Sequence, residues 1–393
     1  MENIHVIISG AGPAGLTLAL YLQKLNIKHS IIEKVDEARL CSDIGGGYDL
    51  GTNALSIYRY LGLGNLVKER GAQFPQVKSF DSQGRLSSIL VLPESLEMSS
   101  IRRSSLQNII IGKLTTQNII FNSKIIDVVE TSNEVVVSLQ NGQQLKGDIL
   151  VIADGVHSEV RASIFKDGPP AHVGANCMWG RLNWEKVPAS YQKKFDGAAM
   201  MLGNGQTFMF GRLDDQMIWA TFWQAEKFVR SENNQIAKEK AIEKLLNWNT
   251  AVAEIVQLSN TETMAEVGIY DRPPAKTWHS NRAILIGDAA HPMTPFLGAG
   301  ANTAIADAFI LGHLIKSSTD IKTVFSTFEK RRKVPLEKMV KTARTVCDYS
   351  LSKSKWKNWI MLKGMAILPK FLLRRMILSA DKINDISDLL PKV

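Results

Sequence analysis

Cysteine is scarce in this chain. Cys41, Cys177 and Cys347 are the three present among 393 residues; they are odd in number, far apart and never in a CxxC pair, so neither a disulfide framework nor a cysteine zinc site is indicated. Also missing are a catalytic triad and a His/Cys cluster, which predicts no metal and no protein nucleophile. No apolar run is long enough to span a bilayer. The chain enters a strand-like run at Ile4 without the charged region, apolar core and cleavage site of a signal peptide. The compartment read from these absences is a reducing cytoplasm.

Acidic residues are outnumbered, and the net charge is +9. The excess is local: between Lys330 and Arg375, 14 Lys or Arg face only Glu337 and Asp348, a segment of +12 that leaves the rest of the chain at −3. A nucleic-acid site would need aromatic platforms interleaved with basic residues on a recognisable fold, so no nucleic-acid partner is expected. With 45% apolar residues, a chain of this length can bury a large core in two or three domains.

What is present begins at residues 4–33. Ile4 to Ser9 is apolar and rich in β-branched residues. It stops at Gly10, Gly12 and Gly15 in GxGxxG spacing, and a helical pattern follows from Leu16 to Leu25. The first glycine permits a tight turn, the second lets backbone approach a pyrophosphate, and the third lets helix and strand pack closely. The helix N-terminus offers unpaired N–H groups and partial positive charge to phosphates. Glu33 ends the next strand at the distance expected for a ribose hydroxyl, and an acid there favours FAD or NAD over NADP.

Downstream, Arg39 and the glycines 45–47 read as a loop able to reach a cofactor or simply solvated. Residues 77–92 read as two strands around a Ser-Gln-Gly turn, and 119–145 as an antiparallel meander with turns at Ser132-Asn133 and Asn141-Gly142. Residues 148–161 are a buried strand running into Asp154-Gly155 and a helix start. From 170 to 280 Trp, Met and Phe become frequent and alternation is strand-like at 198–223, interrupted by a helix-rich 235–257. Candidate cavity lining there is Trp179, Arg181, Phe208, Phe210, Arg212, Trp219, Phe222 and Trp223, about half of which should face the other side by alternation. The strand ending at Gly287-Asp288 and the loop Pro295 to Asn302 then repeat the strand-to-glycine-loop-to-helix pattern. His291, on a tight turn before Pro292, reads as a structural hydrogen-bonding group.

Three stretches together, the GAGPAG turn with Glu33, the D-x-L-V-x-A-D-G-x-x-S-x-V-R-like 148–161, and G-D-A-A-H-P-x-x-P-x-x-G-x-G-x-N at 287–302, resemble the class A flavoprotein monooxygenases of the para-hydroxybenzoate hydroxylase type. The loop 45–50 is similar to that of the tetracycline-inactivating flavin monooxygenases. The resemblance implies an α/β fold: an FAD-binding, Rossmann-like domain of the glutathione-reductase type, an inserted, mostly antiparallel β-sheet substrate domain, and a C-terminal helix. The boundaries follow as 1–75, 100–170 and 281–325 for FAD, 76–99 and 171–280 for substrate, and 326–393 for the helical segment.

It implies FAD as resident cofactor, NADPH or NADH as transient co-substrate, and oxygenation of a small aromatic or polycyclic molecule by O2 through a flavin C4a-hydroperoxide. Expected cofactor contacts are Gly10, Gly12, Ala14, Gly15, Glu33, Arg39, Asp49, Arg103, Asp154, Asp288, Pro295, Gly298, Gly300, Ala301 and Asn302; expected substrate contacts are Arg181, Phe210, Arg212, Phe222, Pro295 and Phe296. Within this pattern Ala299 replaces a usual Gln. Only one βαβ glycine fingerprint occurs, so the nicotinamide has no dinucleotide domain of its own. A reductase or dehydrogenase of the same fold, such as a prenyl-chain reductase, and a non-catalytic flavin-binding or lipid-surface protein are the alternatives. The protein is expected to be a monomer or dimer.

The C-terminal segment is helical in pattern, with Trp356, Trp359, Ile360, Lys363 and Ile367 at helical spacing, a break at Pro369 and a second short helix through Leu378. It either packs across both domains or rests a basic, Trp-bearing face that includes Arg375 on anionic lipid.

Overall fold

The computed structural model describes residues 4–115, 118–192, 197–248, 250–367 and 381–391. A five-stranded parallel sheet lies at one end. Its order is Ala283–Leu285, Ile149–Ile152, His5–Ser9, Lys28–Ile32 and Ile119–Ile120. The two strands at 149–152 and 5–9 sit between neighbours and are almost wholly buried, which is why each reads as an uninterrupted apolar run rather than an alternating one.

The helix Pro13–Lys24 follows the first strand at once. Pro13 occupies its first turn, where a missing N–H costs nothing, and Gly12 caps it in extended conformation. It packs against the helix Gly300–Ser317, and a Cβ at Gly312 would stand 2.6 Å from the Tyr21 ring. Tyr21 stacks on Phe309 at 4.7 Å between ring centres. The two helices that open on glycine loops are thereby locked side by side.

A seven-stranded sheet forms the other end, ordered Ala265–Asp271, Ala171–Asn183, Gln216–Gln224, Gln206–Leu213, Ala198–Gly203, Gln76–Asp81 and Leu86–Val91. Its pairs are antiparallel except that 76–81 runs parallel to 198–203. One face packs Phe208, Met217 and Trp219 against the helices Asn234–Leu245 and Thr250–Leu258. The opposite face turns Cys177, Ala220 and Phe222 towards Phe296 and the long helix Ile321–Ser350. That helix starts at Asp320, whose carboxylate accepts the Thr323 N–H at 2.8 Å.

Of the expected 119–145 meander, Ile119–Ile120 instead joins the parallel sheet beside Lys28–Ile32, and Ile125–Glu130, Val135–Leu139 and Gln144–Gly147 form a separate three-stranded antiparallel sheet, turning at Gly142 with φ +85°. A last helix, Lys355–Ile367, lies on strands 86–91, 76–81 and 198–203. The expected break at Pro369, the short helix to Leu378 and Arg375 lie outside the described residues. Among the described residues no helix is long and apolar enough to cross a membrane.

Candidate active site

A cavity of about 790 Å³ runs from the first glycine turn, past the 298–301 loop, to the seven-stranded sheet. At its first end the three glycines do different work. Gly10 has φ +99° and a Cβ there would stand 2.7 Å from the Ala153 carbonyl; a Cβ on Gly15 would collide with the Gly10 carbonyl oxygen. Gly12 meets nothing closer than 4.0 Å and faces the cavity. Gly15 therefore shapes the turn from behind while Gly10, Gly12 and Ala14 line the space.

No side chain caps the 13–24 helix and no acid lies in its first turn, so its leading N–H groups are available to an anion. The Glu33 carboxylate accepts the Ala11 N–H at 2.8 Å and the Val35 N–H at 3.1 Å, which orients it at the cavity edge. Arg39 comes from the short helix Glu37–Leu40, capped by Asp36. Arg103 opens the helix Arg103–Ile111 and donates to the Ile44 carbonyl at 3.1 Å. One helical turn on, Gln107 also faces the cavity, its side-chain oxygen buried with no partner. Asp154 likewise has one buried oxygen without a partner. Burial pushes its carboxyl up to about 6, and hydrogen bonds with Ser158 and Ser9 pull it back only partly.

At the other end Gly298 adopts φ +61°, and the helix Gly300–Ser317 begins after Ala299 with no side-chain cap. Pro295, Gly298, Gly300 and Ala301 line the cavity together with Tyr48, Asp49 and Asp288. Asn302 does not line it. Its side chain accepts the Gly51 N–H at 2.8 Å and donates to the Asp49 carbonyl at 2.7 Å, stapling the strand Gly47–Gly51 to the helix start. Asp49 and Asp288 line the cavity, and desolvation there raises both carboxyls above the usual range; Ser100, which donates to Asp49, and His291, near Asp288, act in the opposite direction. Desolvation also raises the Tyr48 phenol to about 12.

Behind Asp288 sits a buried hub. The Asp307 carboxylate accepts His291 Nε2 at 2.6 Å, the Gly287 N–H at 2.9 Å and Arg332 Nε at 2.6 Å. Burial alone would raise Asp307, but Arg332 and His291 outweigh it and hold the carboxyl below its ordinary range. Arg332 continues to the Ile383 carbonyl and, at 2.9 Å, to Asn384. His291 thus fixes the turn that presents Asp288. Arg161, the last residue of the 148–161 stretch, does similar work, donating to the Ala289 carbonyl at 2.8 Å.

The sheet wall is apolar. A row in cross-strand register, Trp179, Ala220, Met209 and Met200, faces the cavity, and Ile218, Gly211, Ala198 and Val77 follow beside it. Phe210 borders the space, although its ring lies 5.9 Å from that of Phe208, which stacks with Trp219 on the opposite face. Arg181, Arg212, Phe222 and Phe296 are not in the lining. Arg181 reaches across to the Asp43 carboxylate at 2.6 Å and to its carbonyl. Arg212 lies over Trp184 at 4.6 Å. Phe222 and Phe296 pack on each other at 4.9 Å in the cluster beneath the long helix. Asp43 also accepts Ser104 at 2.5 Å, and Gly46 passes so close to the Trp179 ring that a Cβ would clash with it.

Sequence reasoning missed Gln107, Met200 and Met209. The four-residue step from Arg103 placed Gln107 on the same helix face, whereas nothing local marks which methionines face inward.

The residues fit FAD. A glycine turn opens to the cavity on an uncapped helix, a carboxylate sits at the strand end, two partnerless buried oxygens wait at Gln107 and Asp154, and a second uncapped helix start lies at the far end. Fold and site together define a flavoprotein of the class A hydroxylase type. A family model described as "FAD binding domain" matches residues 3–343, and the chain belongs to that family; it is an FAD-dependent oxidoreductase.

It is 27% identical over 341 residues to aurachin C monooxygenase/isomerase of Stigmatella aurantiaca, covering 84% of this chain and 85% of that one. It is 26% identical to 2-heptyl-3-hydroxy-4(1H)-quinolone synthase of Pseudomonas aeruginosa, covering 94% and 96%. In structure it is similar to Klebsiella pneumoniae HpxO complexed with FAD and uric acid, at TM-score 0.84 and 21% identity over 97% and 96% of the two chains. The tetracycline destructase Tet(51) shares the fold at TM-score 0.73 and 18% identity, over 100% of each.

Proposed function

We propose that the protein is an NAD(P)H-consuming, FAD-dependent monooxygenase that hydroxylates a small, neutral aromatic or polycyclic molecule. One observation carries this reading: the sheet wall of the cavity, from Val77 through Trp179 and Met209 to Ala220, contains no titratable side chain. Flavin, once reduced, supplies chemistry with dioxygen at the isoalloxazine ring. The chain itself has to bind a flat apolar ring, exclude water and hold the cofactor's charge. In this reading the helix dipoles at Gly12 and Ala299 would stabilise the pyrophosphate and the reduced ring.

With no side-chain base on the wall, the substrate must carry its own electron-donating group, as a hydroxyl or ring nitrogen does. The quinolone in the name of the Pseudomonas relative has that character. Among the described residues no group of acids, histidines and cysteines is arranged to hold a metal. The remaining site assignments belong to this proposal: Glu33 on the ribose, Arg39, Arg103 and Asp154 near the pyrophosphate, Asp288 on the ribityl chain, and Asp49 beside the ring. So does a division into FAD-binding segments 1–75, 100–170 and 281–325, a substrate domain of 76–99 and 171–280, and a C-terminal segment.

The test is a screen of bicyclic hydroxylated heteroaromatics with labelled dioxygen. Substrate-stimulated NADPH or NADH oxidation with one labelled atom in the product is the expected result. A reduced product carrying no label would replace this reading with that of a reductase on the same fold.

A further inference from the structure

The helix Lys355–Ile367 carries two exposed tryptophans. Trp356 is 66% exposed and Trp359 47% exposed, and their rings lie parallel at 5.4 Å. At about 100° per residue, Lys355, Trp359, Lys363 and Trp356 share one arc of the helix, and all four are exposed. The edge strand on which the helix packs adds exposed Leu86, Ile89 and Val91. Paired exposed indoles beside further exposed aliphatics are uncommon on a surface that contacts only water.

The sequence that flanks them carries charge of one sign. Between Asp348 and Asp381 the sequence holds seven Lys or Arg and not one acid, while the chain outside 330–375 is net acidic. We infer that the exposed face of helix Lys355–Ile367 is a peripheral docking surface for anionic lipid, with the indoles at headgroup depth and Lys353, Lys355 and Lys363 against phosphates. Clustered lysines flanking tryptophans match the headgroup boundary, where indoles concentrate and anionic phosphates lie. The same helix rests on strands 76–81 and 198–203, which give Val77, Ala198 and Met200 to the cavity wall. Docking would therefore set that side of the cavity towards the bilayer. The inference does not depend on the substrate class proposed above.

The full-length holoprotein should co-sediment with vesicles of phosphatidylglycerol and phosphatidylcholine and not with phosphatidylcholine alone, and molar salt should release it. Trp356→Ala with Trp359→Ala should lower partitioning about tenfold or more. Lys353→Glu, Lys355→Glu and Lys363→Glu together should abolish it, with bound flavin unchanged in both variants. Should the tryptophan variant lose flavin, the lysine variant, altered only at exposed positions, carries the test. The inference is overturned by equal binding to neutral and anionic vesicles, by variants that partition as the parent does, or by a dimer that the tryptophan variant dissociates while no vesicle binds.

Discussion

Asp154 and Gly12 show how single residues divide the work between fold and cofactor. The Asp154 carboxyl sits at about 6 in the folded chain against an ordinary 3.8, so the folded state holds its proton more tightly than the unfolded state does. Ionising it inside costs stability that is fully lost above about pH 6 and not lost at all below about pH 4. Asp154→Asn should therefore stabilise the apoprotein by about 2–3 kcal/mol at neutral pH and by nothing near pH 4. Urea unfolding at the two pH values measures this; a pH-independent difference would count against the buried carboxyl.

Gly12→Ala and Gly15→Ala, three residues apart, should separate cleanly. The first adds a methyl where only the cavity is open, so the fold should survive within about 1 kcal/mol while flavin affinity falls tenfold or more. The second drives a methyl into the Gly10 carbonyl and should cost about 3 kcal/mol or more, leaving little folded protein. Thermal unfolding and flavin titration read the two effects apart.

At the scale of elements, the parts legible in the sequence were those whose geometry is set by their own few residues. The 10–15 turn, the Asp154-Gly155 turn and the 287–302 loop each combine a buried strand with a glycine that must take a special backbone path, and each appears where the spacing put it. The sheet wall was not legible in that way. Arg181 sits in register with Ile218 on the inward row, yet its guanidinium leaves the cavity for Asp43. Phe222 also faces inward, but Phe296 from a loop 74 positions later covers it. Alternation names a face; it does not say which other element lies over each part of that face.

The motif places Asn302 among the expected flavin contacts, but its side chain is outside the cavity lining. Its amide joins two main-chain groups of strand 47–51. No local rule could reveal that partner.

For the whole molecule, the bond between Arg181 and Asp43 matters because it joins the seven-stranded sheet to the loop that flanks the far end of the cavity. Arg181→Met keeps the volume and removes the bond. Asp43 retains Ser104 and Arg102, so the fold should persist. The loop would lose its tie to the sheet, and, on the activity proposed above, a larger share of NAD(P)H oxidation should end as hydrogen peroxide rather than hydroxylated product. Peroxide yield per nicotinamide consumed measures it, and an unchanged yield would show that the tie plays no part in keeping water out.

The Asn302 staple has a further consequence during synthesis. The strand it fastens lies near residue 50, and the parallel sheet closes only when 283–285 pairs with 149–152. A nascent chain short of residue 283 presents the 149–152 strand as a bare edge, and one short of Asn302 still lacks the second uncapped helix start of the cavity. Cofactor capture must therefore be a late event at the ribosome. When flavin is scarce, the cell should accumulate completed, poorly closed chains, not stalled partial ones, and these are the forms most exposed to proteases and aggregation.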